Sequence, residues 1–177
     1  MTDHTVSKLD AARRQLECAI RLYFSSSDAI SIHTLSSAAR NVLIDICAHR
    51  GVTAEIFRNE LVSTYVKPEH AGKVRDRYRQ AENFFKHADR DPDGIFSFNP
   101  EASDYVMFEA TEAFSRLTGE STPYMLTFRT WWLCNNTYMH SLFPEEARDH
   151  FAKFPYKPDQ RALFFQEILP KWGSVAR

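Results

Sequence analysis

The order of apolar and polar residues along the first third of the chain predicts three helices. Apolar residues recur every three or four positions over residues 5–24, which is the spacing of one buried helix face. Asp28 is placed to cap a second helix, and Gly51 marks its end because glycine readily adopts the left-handed conformation that closes many helices. A shorter third helix begins at Thr53 and ends before Pro68, since the residue preceding a proline disfavours helical angles.

Prolines and glycines divide the rest of the chain. A fourth helix is expected from Pro68 to about His87, and the Asp-Pro-Asp-Gly sequence of residues 91–94 is typical of a turn. A short extended segment follows at residues 95–98. Further helices are expected to begin near Pro100, Pro123, Pro144 and Pro158, with ends at Gly119 and Pro170. The chain is therefore predicted to be all-α, a single domain over residues 1–177 built as a bundle of about seven or eight helices.

Composition narrows the class of protein and its compartment. Five glycines are too few for the many tight turns of a β-sandwich or barrel, and 44% hydrophobic residues exclude a disordered chain. The formal net charge is −1, whereas a general nucleic-acid binder is usually far more basic. Cys18, Cys47 and Cys134 are too widely spaced for a zinc knuckle, and the polar N-terminus lacks the apolar core of a signal peptide. These features favour a cytoplasmic protein whose three cysteines are buried thiols.

Residues 123–143 form the most aromatic predicted helix, and its apolar part is about as long as a bilayer is thick. Arg129, Asn135, Asn136 and His140 interrupt it, and such groups are costly in hydrocarbon. We therefore expect no membrane insertion. The aromatic surface of this helix instead suggests a homodimer interface.

The turn after the fourth helix carries the most specific local pattern in the sequence. Asp89, Asp91 and Asp93 alternate and Gly94 follows, which fits the first half of a calcium-binding EF-hand loop. The twelfth position, where a bidentate Glu would close the cage, is Pro100. A divalent cation bound by the three aspartates remains open beside an ordinary turn.

A second candidate site binds anions. Residues 67–90 contain seven Lys or Arg against four Asp or Glu, and such an excess suits a phosphate group or a short RNA. His33 lies in the first turns of the second helix, where the helix dipole favours a neutral imidazole. The residues assigned to this polar site are His33, Arg75, Arg79, Lys86, His87 and Arg90.

Three segments carry a resemblance to known proteins: QLECAIRLYF at residues 15–24, SIHTL at 31–35 and NFFKHADRDP at 83–92. With them the chain resembles a bacterial all-helical family that has no established activity. It is also loosely similar to HEPN domains, helical bundles of which some cleave RNA with an Arg followed after four to six residues by His. Here Arg79 and His87 are separated by seven residues and Arg40 and His49 by eight, so the motif spacing is not matched.

Three functions follow from these features. The first is a non-catalytic module that binds a partner or itself. The second is a HEPN-like RNA-associated domain, and the third is a metal-binding protein or metal-dependent hydrolase that uses residues 87–93. Whether the chain is an enzyme stays open at this stage. Convergence of His33 with residues 86–93 around one pocket would favour chemistry over simple binding.

Overall fold

The chain folds into α-helices joined by short connections, and no β-strand occurs in the part of the chain that is described. The computed structural model describes residues 3–54, 68–89, 91–137, 140 and 145–175. The third predicted helix, near residues 53–67, therefore lies almost wholly outside the described residues. Arg90 lies outside them as well. The helices are α1 (Lys8–Phe24), α2 (Ala29–His49), α3 (Pro68–Lys86), α4 (Ala102–Thr118), α5 (Pro123–Asn135), α6 (Glu145–Ala152) and α7 (Arg161–Val175). The all-α prediction is confirmed. Six of the described helices span 13 residues or more and α6 has eight, so the predicted number of seven or eight is slightly off when only the six long helices are counted.

Most predicted helix ends are confirmed by their capping contacts. The Asp28 carboxylate accepts a hydrogen bond of 2.7 Å from the Ser31 amide at the start of α2. Thr122 caps α5 in the same way, with Pro123 in the first turn. Gly51 and Gly119 both have positive φ, 67° and 74°, the left-handed conformation expected after a helix.

Two predicted helix ends were wrong. The last helix continues through Pro170 to Val175, because Pro170 lies on an exposed part of the helix where water can bind the carbonyl that loses its amide partner. The aromatic helix ends at Asn135 rather than near residue 143. There the Asn135 and Asn136 side chains donate to the carbonyls of Trp131 and Trp132, and Asn136 leaves the helical conformation.

The core is one continuous cluster that α1, α2, α4, α5 and α7 build together. Helix α2 packs along α1 on one side and α4 on the other, while α5 packs against α7. Large side chains that are almost completely buried include Leu16, Phe24, Leu43, Phe128, Trp132 and Phe164. Among the described helices, the main neighbour of α3 is α2.

None of the described helices has both the length and the uninterrupted apolar sequence needed to cross a bilayer. The three cysteines are free thiols. Burial was predicted for all three and is confirmed for Cys47, whereas Cys18 and Cys134 are partly exposed. Burial raises the pKa of Cys134 to about 12 and also raises that of Cys47, so both thiols stay protonated at neutral pH.

Candidate functional site

Two clefts flank the last turns of α3. We call the first, of about 530 Å³, the aromatic cleft, and the second, of about 580 Å³, the polar cleft. The aromatic cleft is lined by Gln80, Asn83, Phe84, His87, Asp89, Asp91, Ile95 and Phe96. The polar cleft is lined by Arg40, Asn41, Ile44, Asp45, Arg79, Glu82 and Asn83. Two adjacent faces of α3 therefore line different clefts, because residues three or four apart lie on the same face of a helix.

One side of the aromatic cleft is made by residues 95–98, which we call the strap. The strap is neither helix nor strand, and its side chains alternate between exposed and half-buried. Phe96 stacks on Phe84 with ring centroids 5.2 Å apart, and Phe98 meets Phe85 edge to face at 5.1 Å. Ile95 points outward and is 100% exposed. The expected strap is therefore present, and it covers the end of α3.

A tight turn before the strap sets the position of Ile95. The Gly94 amide donates a hydrogen bond of 3.1 Å to the Asp91 carbonyl, which closes residues 91–94 into a turn. The Asp91 carboxylate folds over Gly94, and a side-chain carbon at that position would collide with it. A side chain at position 94 would therefore force the exposed Asp91 carboxylate to move away.

The rim of the aromatic cleft carries the predicted metal ligands only in part. His87, Asp89 and Asp91 line the cleft and are exposed, whereas Asp93 is exposed but does not line it. Within the described ranges, no three His, Cys, Asp or Glu side chains come together in a way that could hold a metal ion. Binding of a divalent cation stays a prediction, without support from the geometry of these side chains.

His33 lies behind the aromatic cleft and is only 1% exposed. Its ring packs edge to face against Phe98 at 5.1 Å and Phe85 at 5.8 Å. Nδ1 shares a hydrogen bond of 3.2 Å with the Ser103 hydroxyl, and Nε2 is buried with no hydrogen-bond partner. The pKa of His33 is lowered, and burial of the ring is the main cause. The phenyl rings cover the imidazole, so His33 and the His87 region come near each other without sharing an open site.

The polar cleft is crossed by a chain of charged and amide groups that joins three helices. Arg40 of α2 is ion-paired with Glu109 of α4, and both side chains are mostly buried. Arg40 also donates to the Asn41 amide oxygen at 3.2 Å, and Asn41 donates in turn to Glu82 of α3. Lys86 donates to the same Glu82 carboxylate at 2.6 Å. These bonds connect α3 to the bundle.

The four described residues of the predicted anion site do not line one common cleft, and the six-residue site stays a prediction. His33 is buried, Lys86 is bonded to Glu82, and Arg79 and His87 line different clefts. The Arg75 side chain and Arg90 lie outside what the structure describes. Sequence reasoning missed Arg40, Asn41, Glu82 and Glu109, because their partners lie 41 to 69 residues away and local spacing gives no sign of them.

A second polar network, also missed from the sequence, joins α1, α4, α5 and α7 and is partly exposed at Asp104 and Arg161. The Tyr23 hydroxyl donates to Asp104 at 3.2 Å and accepts from the Trp131 indole at 3.2 Å. The Arg161 guanidinium lies 4.7 Å from the Tyr23 ring centroid and donates to the Ser26 hydroxyl at 2.9 Å. Burial raises the pKa of Asp104 to about 7, which outweighs the stabilisation of its carboxylate by Tyr23 and Arg161.

The aromatic rings of α5 are used inside the chain. Phe128, Trp131 and Trp132 are each at most 3% exposed. Arg129, one of the polar interruptions, forms an ion pair of 2.8 Å with Glu112, and the His140 ring donates to the Leu133 carbonyl at 2.7 Å. A homodimer through residues 123–143 stays a prediction, and these buried rings are not available to form its interface.

Comparison of the chain with protein-family models, with curated proteins and with solved structures finds no match. The resemblances to a bacterial helical family and to HEPN domains are therefore not supported by a match. Arguments about function rest on the two clefts and on the buried polar groups behind them.

Proposed function

We propose that this chain is a non-catalytic binding module and that the aromatic cleft is its recognition surface. The observation that carries the proposal is Ile95, a fully exposed aliphatic side chain beside the half-buried pair Phe84 and Phe96. Three other large apolar side chains are clearly exposed among the described residues: Val6, Ile30 and Leu163. Scattered exposure of this kind is ordinary, whereas an apolar side chain that lines a cleft marks a place where a partner gains contact area.

The buried polar groups favour binding over catalysis. His33 and Ser103 are hydrogen-bonded as a nucleophile and its base would be, but they are 1% and 2% exposed. Tyr23 is 8% exposed and Asp104 is partly exposed, and their hydrogen bond joins α1 to α4. Burial closes His33 and Ser103 to a substrate, and the Tyr23 hydroxyl is already hydrogen-bonded to both Asp104 and Trp131, so both pairs fit best as contacts that hold α4 against α1 and α2.

Co-purification with matched variants tests the proposal. Wild type, Ile95→Asp and Leu163→Asp are used to recover binding partners from a lysate of the cells that make the protein, and sedimentation velocity measures self-association. Leu163 is a good control because it is 43% exposed on α7 and lines neither cleft. We expect a partner, or a second copy, that wild type and Leu163→Asp retain at near-equal amounts and that Ile95→Asp loses.

Two outcomes would contradict the proposal. A partner that all three proteins retain equally would show that the aromatic cleft is not the recognition surface. RNA that co-purifies with the protein and is lost with Arg79→Ala would favour the RNA-associated alternative instead.

A further inference from the structure

The aromatic cleft has the size of a binding site for a few side chains rather than for a large surface. Its volume of about 530 Å³ falls within the usual range for ligand sites, which is roughly 300 to 1,000 Å³. One wall is the last turns of α3, and the opposite wall is the strap. An extended segment that inserts one or two side chains between these walls fits this shape.

Apolar groups form the floor of the cleft. The Phe84 and Phe96 rings stack with an angle of 28° between their planes, and both remain half-buried. Ile95 stands beside them with its whole side chain in solvent. Aromatic and aliphatic contacts of this kind are typical anchors in protein interfaces, because burying them removes apolar area from water. The occupant is therefore expected to insert a leucine-sized or aromatic side chain.

Acidic groups form the charged part of the rim. Among the described residues, those with formal charge that line the cleft are Asp89 and Asp91, both exposed, and neither is ion-paired with another described residue. Lys86, the nearest described cation on α3, is bonded to Glu82 on the side of the polar cleft. Two exposed carboxylates attract a cation and repel a phosphate, which favours a basic protein segment over a nucleic acid.

The cleft is held in place before any partner binds. The turn of residues 91–94 is closed by its own hydrogen bond, and the Phe85 and Phe98 rings fix the back of the strap against His33. Little ordering of the cleft is then needed on binding, which lowers the entropic cost of association.

We propose that the aromatic cleft binds a protein segment in which an aromatic or leucine-sized side chain lies next to a Lys or Arg. This inference rests on the proposed function and adds the chemistry of the partner to it. The apolar side chain packs on Phe84, Phe96 and Ile95. The neighbouring cation lies at the rim beside Asp89 and Asp91.

The test is a titration of the isotope-labelled full chain with three capped hexapeptides, followed by amide NMR shifts. The basic peptide is Gly-Lys-Leu-Phe-Lys-Gly, the acidic one is Gly-Glu-Leu-Phe-Glu-Gly, and the polar one is Gly-Lys-Ser-Ser-Lys-Gly. We expect the basic peptide to shift amides of the strap and of the end of α3. We expect it to bind about tenfold more tightly than the acidic peptide at low salt, with the advantage mostly lost at about 0.5 M sodium chloride.

Variants of the cleft test its apolar contacts and its charged rim separately. Ile95→Ser is expected to weaken binding of the basic peptide about tenfold, and the pair Asp89→Asn with Asp91→Asn about fivefold with loss of the salt dependence. Leu163→Ser serves as the control and is expected to bind as wild type does. Circular dichroism and thermal melting of each variant verify that the fold is intact.

The outcomes separate this inference from the proposed function. Equal binding of the acidic and basic peptides, or shifts confined to residues away from the strap, would overturn the assignment of a basic partner. So would the absence of binding by any apolar peptide at millimolar concentration. In each of these cases the proposed function still stands if co-purification of a partner depends on Ile95, and it fails if that dependence is absent.

Discussion

The two aromatic clusters of this protein differ in how many helices surround them. In the core, Phe24, Phe128, Trp131 and Phe164 come from three helices and are each at most 3% exposed. At the aromatic cleft, one of the two stacked rings belongs to α3 and the other to the strap, and both remain half-buried. Aromatic side chains are therefore fully buried in the core and remain partly exposed at the aromatic cleft.

The difference has an energetic meaning. A fully buried ring contributes the transfer free energy of its whole apolar surface, at roughly 25 cal/mol per Å², and also its close packing with neighbours. A half-buried ring contributes only part of that free energy to folding. The remaining apolar area is still in contact with water, so burying it against a partner is favourable.

The largest expected effect separates a core ring from a cleft ring. Phe128→Ala leaves a cavity in the packed core and is expected to lower the free energy of unfolding by about 4 kcal/mol. Phe96→Ala removes a half-buried ring and is expected to cost about 1 to 2 kcal/mol. Urea denaturation of both variants measures the two values. Similar losses for the two would contradict the contrast between core and cleft.

The polar cleft offers a matched pair of arginines. Arg40→Ala removes the ion-pair partner of the buried Glu109. The variant is expected to lower the free energy of unfolding by about 3 kcal/mol, because the Glu109 carboxylate stays buried without the Arg40 charge beside it. Arg79→Ala changes an exposed side chain that lines the same cleft, and it is expected to lower the free energy of unfolding by less than about 0.5 kcal/mol. Thermal and urea denaturation give both numbers. A larger loss for the Arg79 variant would contradict the structural role of the Arg40 ion pair.

Asp104 is expected to make the protein more stable in mild acid. Its pKa in the folded state is raised to about 7 from an ordinary 3.8, so the folded state holds a proton that the unfolded state has released. The stabilisation is full below about pH 4 and is lost as the pH rises to about 7, with a total of order 3 kcal/mol. Asp104→Asn keeps an acceptor for Tyr23 and is expected to remove this pH dependence, as urea denaturation at several pH values would show.

Retention of the same slope in Asp104→Asn would mean that another group causes it. The Asp91→Asn variant is the control, because Asp91 is an exposed carboxylate and its replacement leaves the buried network unchanged.

His33 is expected to act in the opposite sense. Its pKa is lowered from the ordinary 6.5, chiefly by burial, so the unfolded state takes up a proton before the folded state does. Stability from this group is present above pH 6.5 and is lost as the pH falls through the lowered pKa. An NMR titration of the His33 ring is expected to give a midpoint below 6.5. A midpoint at or above 6.5 would show that the ring is not sealed by Phe85 and Phe98.

The smallest expected effect on stability belongs to Ile95. Its side chain is completely exposed, so Ile95→Ser is expected to change the free energy of unfolding by less than about 0.5 kcal/mol. The same variant is expected to lose partner binding, and that combination is what identifies a recognition residue. A stability loss comparable to that of Phe96→Ala would show that Ile95 supports the fold instead.

Local signals in the sequence predicted much of the secondary structure. Asp28, Thr122 and Gly119 mark helix ends through contacts within a few residues of themselves, and all three are confirmed. The end at Pro170 was predicted wrongly, because a proline on the exposed side of a helix leaves its lost carbonyl partner to water. The third predicted helix lies almost wholly outside the described residues, and the single-domain prediction stays untested.

The site was harder to predict, because its residues come together only in the folded chain. The sequence singled out His33, His87 and Asp89, yet it did not show that phenyl rings would separate the first from the other two. The Arg40 to Glu109 pair spans 69 residues, and no spacing rule within a helix reports such a contact.

By itself, the sequence determined that this chain is helical and where most of its helices begin and end, because capping, proline geometry and apolar periodicity act over a few residues. Only the tertiary structure decided which aromatic rings are buried and which line a cleft. Burial depends on the number of elements that pack around a side chain. For Phe84 and Phe96 that number is small among the described residues, where α2 is the main helical neighbour of α3 and the strap packs against the end of α3.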